Sequence, residues 1–179
     1  MRSRTSSARN TRGGQKRKRS VGATAATLRG APKNIRTDKI GSHAATVVAK
    51  QGEQLPALAL NYLGKQPELT GKPLLVEFWA TWCPPCRKSI PHLNEIYSKY
   101  KAQGLQIVGI TDEDEATVKK FQKQIPMDYN VAINTPGSIY EEFGIQAIPA
   151  AFLVDKSGKI VWAGHPMELS ETEIQSVLN

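Results

Sequence analysis

The chain has 179 residues, 40% of them hydrophobic, and a formal net charge of +8, which is enough length for one domain with a packed core. Residues 1–50 carry 13 Lys/Arg against the single acid Asp38, while the remainder carries 11 against 15, so the basic excess gives no ground for nucleic-acid binding by the later two thirds. No run approaches the roughly 18 apolar residues of a membrane span, and two cysteines in all exclude the disulfide framework of small secreted domains.

Residues 1–45 show no sustained apolar period and read as a disordered basic extension, with residues 46–179 as the folded domain. Lys16 to Arg19 followed by Val21 to Leu28 has the order of a secretory signal but a weakly apolar middle. The Arg/Ser/Thr-rich stretch without an acid before Asp38 resembles an organelle transit peptide in composition, and Lys16 to Arg19 a nucleic-acid patch. Apolar residues begin near Thr46-Val47-Val48 and Leu55 to Leu60. After the turn Gly71-Lys72-Pro73, Leu74 to Ala80 reads as a central strand buried on both faces. Ile90, Leu93, Ile96, Tyr97 and Tyr100 recur at helical spacing from Pro84 to about Tyr100, and Gly104 ends that helix. Leu105 to Ile110 is the next strand. The acids Asp112 to Glu115 suit a helix start, with the helix running from Glu113 to about Gln124. A short strand over Tyr129 to Ile133 and a short helix over Ser138 to Phe143 follow. Ala151 to Val154 and Lys159 to Trp162 flank the hairpin turn Asp155 to Gly158. Ser170 and Glu173 match a capping box that opens a last helix. Strands alternating with helices and closing on a hairpin predict an α/β sandwich with a mixed sheet.

Trp82-Cys83-Pro84-Pro85-Cys86 lies between the buried strand and the first helix. A Cys-x-x-Cys pair in that place reads as a thiol–disulfide redox site. Zinc needs further ligands, and His43, His92 and His165 are scattered; haem attachment requires His after the second cysteine, where Arg87 stands. No metal and no cofactor are therefore expected. The run Val76 to Cys86, Pro91, and Ile148-Pro149 ahead of a Phe-Leu-Val-Asp strand together resemble the thioredoxin superfamily over about residues 50–179. The Pro84-Pro85 dipeptide and the long stretch from Asp112 to Pro149 are similar to the TlpA/ResA-type thiol–disulfide oxidoreductases. The resemblance implies a thioredoxin-like three-layer sandwich with a mixed central sheet and a central helix–strand insertion. It also implies a protein-disulfide reductase with a protein disulfide as substrate and an upstream thiol reductant. The expected chain is a monomer, working outside the cytoplasm, with a cytoplasmic location as the alternative.

Only a thiolate attacks a disulfide, and Cys83 at a helix N-terminus should have a lowered pKa. Pro84 and Pro85 lack N–H groups, so the first backbone donor to its sulfur is the Cys86 N–H, and the lowering should be moderate. Cys86, one turn in and facing the core, is the expected resolving thiol. Glu77 is an acid in an apolar strand, and burial would suit it to accept the Cys86 proton. The resemblance implies the same role, since thioredoxins carry an acid six residues before the first cysteine; the alternative is a strand acid that reaches solvent. Trp82 is expected as an apolar lip and Trp79 as core, with a kink at Pro91. Arg87 and Lys88 either add positive potential near the thiolate or are solvated helix charges. The resemblance implies a cis Pro149 facing the cysteines, with Ile148 offering its backbone to an extended substrate strand; the alternative is a trans proline at a strand start. Two other activities compete: oxidation of dithiols, and a peroxidase. Peroxiredoxins share the fold and carry Thr three and Pro seven residues before the reactive cysteine, where this chain has Ala80 and Val76.

Overall fold

The computed structural model describes residues 50–179. The readings placed on residues 1–45 and on Thr46 to Val48, and the domain boundary between them, lie outside the described residues.

Strand β2 (Leu74–Phe78) has every residue buried. Burying each of its Leu, Val and Phe side chains is worth about 1.5–3 kcal/mol. Helix α1 (Pro84–Tyr100) follows, and Gly104, at φ 100°, turns the chain into β3 (Gln106–Ile110). Next come α2 (Glu115–Gln122), β4 (Asn130–Ile133) and α3 (Gly137–Glu142). The hairpin β5 (Ala150–Val154) and β6 (Ile160–Gly164) leads to α4 (Glu171–Leu178). A two-residue strand, β1 (Asn61–Tyr62), precedes them all. The strand order is β1-β4-β3-β2-β5-β6. β2, β3 and β4 run parallel, joined by α1 and α2, while β1, β5 and β6 pair antiparallel to their neighbours.

Successive strand residues face opposite sides of the sheet. Leu75, Ile107 and Leu153 pack against Leu93, Ile96 and Tyr100 of α1 and Ile174 and Val177 of α4. α2 adds Val118 and Phe121 beside Ile90, Val131 and Ile133. On the other face Val76, Phe78, Val108 and Phe152 meet Ile139 and Phe143, with Leu55, Leu58 and Leu60 packed alongside. This is the expected three-layer sandwich with a mixed sheet. The helix–strand insertion is α2 with β4, and β4 lies between β3 and β1.

The differences from the sequence expectation are local. β1 was not anticipated, because two paired residues leave no periodic signal. Leu55, Leu58 and Leu60, in the stretch where apolar residues begin, pack on the core as that reading implies, and Gln54 bridges Lys159. α2 starts two residues later than expected, because Asp114 caps it by accepting the Thr117 N–H at 2.8 Å. Among the described residues no helix is long and apolar enough to cross a membrane.

Candidate active site

α1 begins at the cysteines because prolines suit the first helical positions, where no N–H is needed. Cys83 is the N-cap residue, and Pro84 and Pro85 occupy the first turn. Cys83 and Cys86 are joined by a disulfide with an S–S distance of 2.09 Å. The Cys86 N–H donates to Cys83 Sγ at 3.2 Å, as the proline pair requires. Cys83 is only 2% exposed and Cys86 not at all, whereas Trp82 is 70% exposed. In the disulfide state Cys83 is therefore enclosed, and the neighbouring indole is the surface feature of the site. Pro91 lies on the exposed side of α1, where the carbonyl it leaves unpaired is closest to water. Arg87 is exposed and stacks over the Phe121 ring at 5.7 Å.

Glu77 lies on the α1 side of the sheet with no exposed surface. Its register neighbours are Gly109 on β3 and Ala151 on β5, which leave room for a carboxyl. Gly109 also sits under Trp79, since a Cβ there would lie 2.9 Å from the indole nitrogen. Ser89 Oγ lies 2.9 Å from Glu77 Oε1, and the Tyr129 hydroxyl donates to Glu77 Oε2 at 3.1 Å. Burial pushes the carboxyl up from 4.5 to about 7, against the lowering effect of these two hydrogen bonds. Tyr129 is raised well above its ordinary value by burial first and the Glu77 charge second.

The Ile148–Pro149 bond is cis, and Ile148 O lies 3.7 Å from Cys83 Sγ. A disulfide sulfur has no proton, so this is a contact rather than a hydrogen bond. Trp79, Ala80, Trp82, Asp112, Tyr140 and Ile148 are among the lining of a largely apolar cleft of about 470 Å³ beside it. A larger, more polar cleft of about 1070 Å³ opens between the 54–72 segment and the 155–158 turn, and holds none of the expected site residues. The loop before Cys83 is clamped: Glu113 accepts from the Thr81 N–H at 2.7 Å and the Thr81 hydroxyl at 2.6 Å.

Cys83, Cys86, Trp82 and Ile148 are thus brought together around one sulfur, with cis Pro149 following Ile148. Glu77 is joined to the same helix turn through Ser89, and the solvent-reaching alternative for it does not hold. Three residues were missed by sequence reasoning. Ser89 had a signal, a polar side chain on the core-facing stripe of α1 beside Ile90. Glu113 was read only as a helix-start acid, and Tyr129 only as strand. His165, which had no assigned role, accepts the Met167 N–H at 3.2 Å and caps the turn Pro166–Glu168.

Residues 40–163 match the model of the AhpC/TSA family. The chain is 40% identical over 115 residues to the thiol-disulfide oxidoreductase ResA of Bacillus thuringiensis subsp. konkukian, a match covering 62% of this chain and 66% of that one, just under two thirds of its length. It is 32% identical over 119 residues to ResA of Halalkalibacterium halodurans, covering 64% and 68% of the two chains. Among solved structures it resembles the thioredoxin domain of a thiol-disulfide oxidoreductase from Bacteroides vulgatus, with a TM-score of 0.63, 29% identity, and coverage of 74% of this chain and all of that one.

Proposed function

This chain belongs to the AhpC/TSA family, and on that footing we propose that it is a thiol–disulfide oxidoreductase that reduces protein disulfides by dithiol exchange. The observation that carries this reading is the Cys83–Cys86 disulfide closed at the N-terminus of α1, with the Cys86 N–H on the Cys83 sulfur. Starting from the dithiol, the Cys83 thiolate attacks one sulfur of the substrate disulfide and expels the other as a thiolate. Cys86 gives its proton to Glu77 and attacks Cys83 Sγ. The Cys83–Cys86 bond forms, the bond from Cys83 to the substrate breaks, and the second substrate sulfur leaves with the electron pair. Two electrons pass to the substrate, and an upstream thiol reductant returns them by the reverse exchange. The helix N-terminus favours the Cys83 thiolate through its dipole and the one free N–H. Trp82 and the Ile148 backbone are the proposed contacts for the substrate strand.

The competing reading is a peroxidase, since peroxiredoxins share the fold, but Val76 and Ala80 stand where they carry Pro and Thr, and both are buried apolar positions. The proposal includes a monomer acting outside the cytoplasm; sedimentation and cell fractionation test those two points, and a dimer or a cytosolic pool would reverse them.

The reading is tested by assaying reduction of a protein disulfide with a small thiol as recycling reductant. Cys83→Ser is expected to fall to background, and Cys86→Ser to accumulate a mixed disulfide with the substrate. Equal activity in all three proteins would end the proposal. The potential of the couple decides direction: a value near −270 mV fits a reductant, and one near −120 mV would make the protein an oxidant of dithiols.

A further inference from the structure

Glu77 has a partner for each carboxyl oxygen, and both are buried hydroxyls: Ser89 at 2.9 Å and Tyr129 at 3.1 Å. Ser89 Oγ has a second acceptor, the Cys86 carbonyl, also at 2.9 Å. A serine hydroxyl carries one proton, so it cannot donate to both at once. When Glu77 is ionised, both hydroxyls donate to the carboxylate. When Glu77 carries a proton on Oε1, that proton goes to Ser89 Oγ, and the serine proton turns to the Cys86 carbonyl. Tyr129 still donates to Oε2. Every proton then has an acceptor in either state, which a buried group requires.

We propose that Ser89 and Tyr129 are positioning residues for the dithiol reaction: they hold the Glu77 carboxyl from both sides, and the Ser89 hydroxyl switches between Glu77 and the Cys86 carbonyl as the carboxyl gains and loses the proton of the resolving thiol. The inference rests on the functional reading above only for the source of that proton. The titratable group that meets the carboxyl is Tyr129, just before β4; Cys86 reaches it through Ser89, whose hydroxyl lies on the Cys86 carbonyl, and Gly109 and Ala151 on the flanking strands bring none. Asp128 acts on Tyr129 through its charge. Bonds to an ionised acceptor are about twice as strong as neutral ones, so each hydroxyl favours the carboxylate. Without them the burial of Glu77 would leave it protonated at neutral pH and unable to accept the Cys86 proton. The insertion therefore reaches the chemistry through Tyr129.

The test is titration of the Glu77 carboxyl, by its infrared C=O band, in the reduced full-length protein and in Tyr129→Phe, Ser89→Ala and Ser89→Thr. In the Phe and Ala variants the midpoint is expected to rise by about one pH unit. The pH profile of mixed-disulfide release should move with it, and Ser89→Thr, which keeps a hydroxyl, should restore both. In a Glu77→Gln background, Tyr129→Phe should leave the release profile where it is. An unchanged carboxyl midpoint in both variants, or a Tyr129→Phe shift that persists in the Glu77→Gln background, would overturn the proposal. A wild type that reduces no disulfide yet shows these midpoint shifts would overturn the functional reading while supporting the two-sided hold on the Glu77 carboxyl.

Discussion

Glu77 carries an energetic cost that can be signed. Its carboxyl titrates near 4.5 in an open chain and at about 7 in the folded protein. Below 4.5 both states hold the proton and nothing is lost. Between 4.5 and 7 the unfolded chain releases it while the folded protein keeps it, so stability falls as pH rises and levels off above about 7. The span corresponds to about 3 kcal/mol. Urea unfolding at pH 5 and pH 8 should show most of this loss in the wild type and its near-absence in Glu77→Gln. The same slope in both proteins would mean that Glu77 is not the group responsible. The acid was legible because it interrupts an apolar strand. Its partners were not, since Ser89 and Tyr129 lie 12 and 52 positions away in the chain.

At the scale of elements, the N-terminus of α1 is the working part. Helix starts offer free N–H groups that draw negative charge, and here two prolines remove those nearest Cys83, leaving the Cys86 N–H at 3.2 Å. Pro85→Ala returns one donor without disturbing a helical position. It is expected to lower the Cys83 thiol pKa by about one unit, the scale of a single hydrogen bond to a charge. The potential should rise with it, because stabilising the thiolate stabilises the reduced form. Absorbance titration of the thiolate checks the first effect, and an unmoved or raised midpoint would show that the prolines do not set it. The helix itself was legible because its signals are contiguous: Pro84 and Pro85 at the start, a core stripe at helical spacing, and Gly104 beyond the end. The Glu113–Thr81 clamp was not, because it joins two loops 32 positions apart.

For the whole molecule, charge and chemistry divide along the chain. Residues 46–179 carry 12 Lys/Arg and 15 Asp/Glu, a formal charge of −3 against +8 for the full chain. A protein lacking residues 1–45 is expected to move from cation-exchange to anion-exchange retention at pH 7 and still reduce a protein disulfide. Retention on the cation exchanger, or lost activity, would contradict that division. The resemblance to the TlpA/ResA type implied the insertion before Pro149, while the residues by themselves determined the order and kind of the larger elements and the position of the dithiol between a buried strand and a helix. Those rest on short-range physics: periodic burial, proline and glycine geometry, and capping within a few residues. Only the tertiary structure decided that β4 enters the sheet between β1 and β3, that Ile148 O stands 3.7 Å from Cys83 Sγ, and that Tyr129 meets Glu77. The reason is directional. A hydrogen bond or a sulfur contact depends on placement to fractions of an ångström, and sheet register and helix packing set that placement between residues far apart in the chain.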